Sequence, residues 1–107
     1  EEVIRAVKHH HERYDGSGYP DGLAGKAIPI AARIIMLSDS IDAMLSDRPY
    51  RRALTIEQAR VELLRCSGTQ FDPDIVEVIL RANTLERAGA IRVSLDDTKN
   101  IPSAQLA

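Results

Sequence analysis

The chain has 107 residues, 44% of them apolar and 28% charged, with a net charge of −2 and a pI near 5.9. This suits one globular domain rather than a disordered segment, and the slight acidity argues against general nucleic-acid binding. Only 4% of residues are aromatic, so the core must be aliphatic, and no apolar run approaches the ~20 residues of a membrane span. A lone cysteine, Cys66, excludes an internal disulfide and reads as a small buried hydrophobe. With no signal-peptide layout, a reducing, cytoplasmic setting is expected.

Residues 1–13 place Val3, Ile4, Val7 and His11 at helical spacing, with no N-cap before them. A helix that short needs a packing partner, and the start in mid-helix reads as a piece of a longer protein. His9-His10-His11-Glu12 follows and runs directly into Arg13-Tyr14-Asp15-Gly16-Ser17-Gly18-Tyr19-Pro20, which distinguishes it from an expression tag. Imidazole and carboxylate suit divalent transition metals, and neighbours on a helix point about 100° apart. His10 and His11 are therefore able to face two different ions. His9 is read as a bystander. Residues 15–29 carry four glycines and two prolines, too many breakers for a helix or a central strand. A loop of that length in a compact domain is functional or mobile. Gly16 and Gly18 serve either turn-making or close approach to a ligand.

Residues 30–47 are predicted to form the best helix, with Ile34, Leu37, Ile41, Met44 and Leu45 as its apolar stripe. A carboxylate buried on such a helix is costly unless paired or bound to metal, which singles out Asp39. Asp42, one turn on, is given a structural role at the loop or a helix end. Arg48-Pro49-Tyr50-Arg51-Arg52 ends the helix, because Pro49 disfavours a helical Arg48. Guanidinium forks bind phosphate and stack on bases; the alternative is a surface ion-pair cluster with Asp47 and Glu57. Thr55 is predicted to cap a third helix running to Gly68. Asp72-Pro73 opens a fourth, with Ile75, Val76, Ile79 and Leu80 inward. Leu85 to Ala90 reads as a last helical turn, Arg92 to Leu95 as a short extended piece, and residues 96–107 as a frayed tail. The expected division is a domain over 1–90 and a poorly packed tail over 91–107.

His10-His11-Glu12, Asp15-Gly16-Ser17-Gly18-Tyr19-Pro20, Gly22-Leu23, Ile28-Pro29, Asp39, Asp42-Ala43-Met44, Arg48-Pro49-Tyr50-Arg51 and Gln70-Phe71-Asp72-Pro73 resemble the HD-GYP family. That family is a bacterial subset of the HD-superfamily metal-dependent phosphohydrolases that hydrolyse cyclic di-GMP. The resemblance covers residues 4–80 and implies an all-α fold: a partial HD-type bundle of about four to five helices with a long Gly/Pro-rich loop. It implies His10, His11 and Asp39 as ligands of a binuclear or larger Fe or Mn centre. It implies Tyr19, Arg48 and Arg51 as substrate-binding residues. Glu12, Asp15, Gly16, Gly18, Pro20 and Asp42 would support the ligands or shape the loop. Gln70 to Pro73 is read as architecture.

No His-Asp dipeptide occurs in the chain, although that pair names the superfamily. It is expected upstream, together with further histidines and a sensor or receiver domain. Three ligands do not hold two metals in a reactive geometry, so the chain alone is expected to be inactive and its parent to be a cyclic di-GMP phosphodiesterase. The alternative is a degenerate or regulatory module that binds GGDEF-domain proteins through the loop without hydrolysis.

Overall fold

The structure is a computed structural model and describes residues 1–88. It is all-helical, as expected, with four α-helices in the order α1 (Glu2–His9), α2 (Ile30–Met44), α3 (Ile56–Cys66) and α4 (Pro73–Arg81). A 3-10 turn, Gly25–Ala27, precedes α2, and residues 84–88 are again helical. The turn expected from Leu85 is therefore present as far as residue 88. The extended piece at 92–95 and the tail lie outside the described residues.

Local chemistry explains the element ends. In α3, Thr55 Oγ1 accepts the Gln58 N–H at 3.1 Å while Gln58 Oε1 accepts the Thr55 N–H at 2.9 Å, a reciprocal capping box. Gly68, at φ +86°, lets the chain turn back, and its N–H reaches the Phe71 carbonyl at 2.8 Å. Asp72 caps α4 by accepting the Asp74 N–H at 2.8 Å, and Pro73 sits where no N–H is needed.

Two helices are shorter than the sequence suggests. Helix α1 stops at His9 rather than near residue 13, because the chain turns there and the Glu12 N–H bonds to the His9 carbonyl at 3.0 Å. Helix α2 stops at Met44 rather than 47. Its open carbonyls are taken by outside donors: the Leu54 N–H reaches Met44 O at 2.7 Å and Arg51 reaches Ala43 O at 3.0 Å.

The core is aliphatic around one phenylalanine: Leu37 and Ile41 of α2, Ala59 and Leu63 of α3, Val76 of α4, Phe71 and Leu85. Cys66 belongs to it, and burial pushes its thiol pKa up, consistent with an inert hydrophobe. Burial of a Leu or Phe contributes about 1.5–3 kcal/mol each, so α2, α3 and α4 hold the chain together.

One expected inward position is corrected. Ile34 is half exposed, and Ala32 and Met36 take its place inside. Val61 and Leu64 of α3 also face outward. Helix α1 packs on α2 through Ala6 and His9, while Val3, Ile4 and Val7 remain exposed. The apolar spacing of α1 was legible, but it marks a face that no described residue covers.

A buried polar strut ties the loop to two helices. The Asp72 carboxylate, fully inaccessible, accepts Arg33 Nη1 at 2.6 Å and Lys26 Nζ at 2.9 Å. Arg33 Nε also donates to the Ile28 carbonyl at 2.9 Å. The end of the long loop, the start of α2 and the start of α4 thus meet on one charge.

Candidate functional site

The long loop is anchored at both arms. On the near side, Tyr14 N–H bonds to Gln70 O at 3.2 Å and Asp15 N–H to Thr69 O at 2.8 Å, fastening its base to the α3–α4 connection. The Asp15 carboxylate accepts both the N–H and the hydroxyl of Ser17, at 2.9 and 2.6 Å. Those bonds hold its pKa below the ordinary carboxylate range. Gly16 turns at φ +86°. Gly18 lies so close to the end of α1 that a Cβ there would stand 2.4 Å from Arg13 N and His11 O. Only glycine fits, and Tyr19 N–H then reaches His11 O at 3.3 Å. The Tyr19–Pro20 bond is cis.

Glu12 fastens the far arm. It is fully buried; Oε2 takes His9 Nδ1 at 2.9 Å and Asp21 N–H at 3.0 Å, and Oε1 takes Leu23 N–H at 3.0 Å. Burial alone would raise its pKa, but bonds from His9 and from the Asp21, Leu23 and Gly22 backbone outweigh that and hold it low. His9 is therefore no bystander. It is 6% exposed and forms part of this latch, with Nε2 3.9 Å from Asp21 Oδ2. The i,i+3 spacing of His9 and Glu12 at a helix end was the available sign.

The loop, α1 and α2 enclose a cleft of about 300 Å³. His10, His11, Tyr19 and Asp39 all line it, bringing together residues from three separate stretches. His10 Nδ1 lies 2.6 Å from the Val7 carbonyl. A carbonyl only accepts, so Nδ1 carries a proton, and in the neutral ring the lone pair is then on Nε2. That is the arrangement of a metal-ligating histidine. The His11 ring lies 3.9 Å from that of His10 and stacks on Tyr19 at 5.0 Å, the planes 19° apart. Asp39 is exposed rather than buried, because its side of α2 faces the cleft instead of the core. The cost of burial that singled it out does not apply; its place in the cleft does. Two histidines and a carboxylate suit Fe or Mn.

Among the described residues, the side chains whose ligand atoms lie within 4.8 Å of one another are His9, Glu12 and Asp21. Both Glu12 oxygens there already accept hydrogen bonds, so this group works as a latch. Arg48 and Arg51 do not line the cleft. They pair with each other in an isolated bridge, and the Arg51 guanidinium is spent on the carbonyls of Ala43 and Arg52. Asp42 is exposed on α2, and its carbonyl accepts the Ser46 hydroxyl. Five cleft residues were not among the expected site residues: Arg13, Ser17, Met36, Ser40 and Gln70. Gln70, expected as architecture, holds the loop base through its carbonyl and also lines the cleft.

Comparison with known proteins gives the family. A family model described as HD domain matches residues 1–75. The chain is 56% identical over 72 residues to the cyclic di-GMP phosphodiesterase response regulator RpfG of Xanthomonas campestris, covering 67% of this chain and 19% of the relative. It is 47% identical to a cyclic di-GMP phosphodiesterase of Thermotoga maritima, covering 67% and 20%. It is 44% identical to the 3'3'-cGAMP-specific phosphodiesterase 2 of Vibrio cholerae, covering 82% and 16%. The crystal structure of the cyclic GMP-AMP specific phosphodiesterase V-cGAP3 of V. cholerae superposes with a TM-score of 0.73 at 28% identity, covering 98% of this chain and 25% of that one. The chain thus spans about a fifth of the curated relatives it matches. No helix among the described residues is long and apolar enough to cross a membrane. Matched over most of its length, and implying a metal-binding protein, the chain belongs to the HD domain family and is related to the HD-GYP cyclic di-GMP and cGAMP phosphodiesterases.

Proposed function

We propose that this chain supplies part of the metal and substrate site of a phosphodiesterase acting on a 3'3'-cyclic dinucleotide, cyclic di-GMP in the first instance. The observation that supports it most is the meeting of His10, His11 and Asp39 in one cleft, although Asp39 stands on α2 and the histidines in the turn that follows α1. In this reading the three are metal ligands, with Fe or Mn as the metal. When bound, such a centre acidifies water and neutralises phosphate charge. The Val7 carbonyl keeps His10 in the tautomer that presents Nε2. Tyr19 stacks on His11 and is 62% exposed, so a base is able to stack on its other face. Glu12 and Asp15 keep the loop folded over the cleft. Arg48 and Arg51 stand past the far end of α2, outside the cleft, and Arg51 would have to leave the Ala43 and Arg52 carbonyls to reach a substrate phosphate.

The chain alone is expected not to turn over substrate, because three ligands do not complete a binuclear centre. The test is anaerobic incubation with cyclic di-GMP and Fe(II) or Mn(II), for this chain and for a longer polypeptide that includes the upstream region. Turnover by the longer chain, abolished by His10→Ala and by Asp39→Ala, is expected. Full activity in both variants overturns the reading. A second reading, docking of a GGDEF-domain partner, is favoured by the exposure of Tyr19, Pro20, Asp21 and Gly22 on the outer edge of the loop. Capture of such a domain by the intact chain, lost on deleting residues 16–22, would support it.

A further inference from the structure

Arg13 lines the cleft that holds His10, His11 and Asp39, and it is the only lysine or arginine among the described lining residues. Its surroundings leave the guanidinium available. The nearest carboxylate, on Asp15, stands 3.9 Å from Nε, and the Arg13 side chain makes no hydrogen bond among the described residues. Asp15 meanwhile takes both hydrogen bonds offered by Ser17. Other arginines are spent: Arg33 on Asp72 and Ile28, Arg51 on Ala43 and Arg52. The backbone under Arg13 is also fixed. Gly18 presses against its N–H, and the next residue, Tyr14, bonds to Gln70, a neighbour in the same cleft.

A planar donor fork, held on a rigid turn with one long ion pair to Asp15 and no side-chain hydrogen bond among the described residues, is suited to two oxygens of one phosphate. Cationic clamps on phosphoryl oxygens are effective because charge grows there in the transition state. We propose that Arg13 binds a phosphate of the substrate beside the His10–His11–Asp39 group, as the cleft's own phosphate clamp. This rests on the functional reading given above and adds a substrate contact to it.

The test is calorimetric titration of the 107-residue chain, with Mn(II) present, using cyclic di-GMP and then inorganic phosphate as probes. Mn(II) affinity is measured separately by electron paramagnetic resonance. Arg13→Met, which keeps the apolar stem, is expected to weaken cyclic di-GMP binding by about tenfold or more. Arg13→Lys, which keeps charge but not the fork, is expected to fall between Arg13→Met and the unaltered chain. Mn(II) affinity should be unchanged in both. Nucleotide binding by Arg13→Met equal to that of the unaltered chain overturns the proposal, and so does a parallel loss of Mn(II) affinity, which would mean a purely structural role. If the unaltered chain with Mn(II) binds neither probe, the clamp falls, whereas the functional reading stands or falls separately on turnover by the longer polypeptide.

Discussion

The buried Glu12 carboxylate accepts the Leu23 N–H at 3.0 Å across an eleven-residue separation, and so closes the Gly-Tyr-Pro loop back onto the end of α1. One side chain thereby fixes the loop that carries Tyr19. Glu12→Gln keeps the shape but removes the charge, and its NH2 group would face N–H donors. Hydrogen bonds to a charged group contribute about 1.5–3 kcal/mol each. Because a side chain with one remaining acceptor oxygen still satisfies some donors, the expected loss of stability is about 2–3 kcal/mol. Urea unfolding monitored by circular dichroism checks it, with unchanged stability as the contrary result.

Gly18 and Gly16 differ in what an added methyl would meet. At Gly18 the new carbon would overlap backbone atoms that cannot move without unwinding the end of α1. At Gly16 it would stand 3.3 Å from the Ala24 Cβ, so the main cost is the positive φ. Gly16→Ala is expected to cost about 1–2 kcal/mol. Gly18→Ala should cost as much or more, with overpacking adding about 1–3 kcal/mol, and it alone should break the Tyr19–His11 stack. The His11 ring proton shifts in an NMR spectrum distinguish the two.

Much of this was legible because it is local. Thr55 with Gln58, Asp72 with Pro73, and Gly68 are punctuation that acts within a few residues, and the structure places α3 and α4 where they indicate. The convergence of His10, His11 and Asp39 came from motif resemblance rather than periodicity, and the argument from burial misjudged Asp39. What could not be read depends on contacts across the fold. The Arg51 guanidinium is drawn to carbonyls that exist only once α2 has ended at Met44. The Glu12 latch needs backbone N–H groups on the far side of a loop whose path the sequence does not specify. Arg13 and Gln70 meet in the cleft only because Tyr14 pairs with Gln70.

Asp72 gives the protein an acid-sensitive joint. Burial alone would raise its pKa, but bonds from Lys26, Arg33 and the Asp74 N–H outweigh it and hold the carboxyl below its ordinary value of 3.8. A group with a depressed folded-state pKa contributes stability that is present above its unfolded value. That stability is lost as pH falls from there through the folded value. Stability should therefore decline below about pH 4. Asp72→Asn keeps the helix cap but uncouples the nearly buried Arg33, at a cost of about 3 kcal/mol near pH 7, as for breaking a buried pair. The gap between the two proteins should narrow in acid. Thermal melts from pH 3 to pH 7 test this, and a gap independent of pH would contradict it.

Metal binding should be visible in stability, because the proposed ligands come from separate elements. His10 closes α1 and Asp39 rides on α2, so an ion held by both ties the helix with the exposed apolar face to the core. A ligand that binds only the folded state at one hundred times its dissociation constant stabilises by about 2.7 kcal/mol. Adding Mn(II) under anaerobic conditions should raise the melting temperature, and a chelator should reverse the rise. The chelator should not unfold the protein, because the Leu37–Leu63–Phe71 core contains none of the three proposed ligands. His10→Ala and Asp39→Asn should each abolish most of the increment while leaving the metal-free melt within about 0.5 kcal/mol, as for surface positions. His9→Gln should behave in the opposite way. It disturbs the Glu12 latch and lowers the metal-free melt, while the Mn(II) increment persists. If His9→Gln removes the increment and His10→Ala does not, the ion sits in the latch, and the assignment of the cleft as the metal site is wrong.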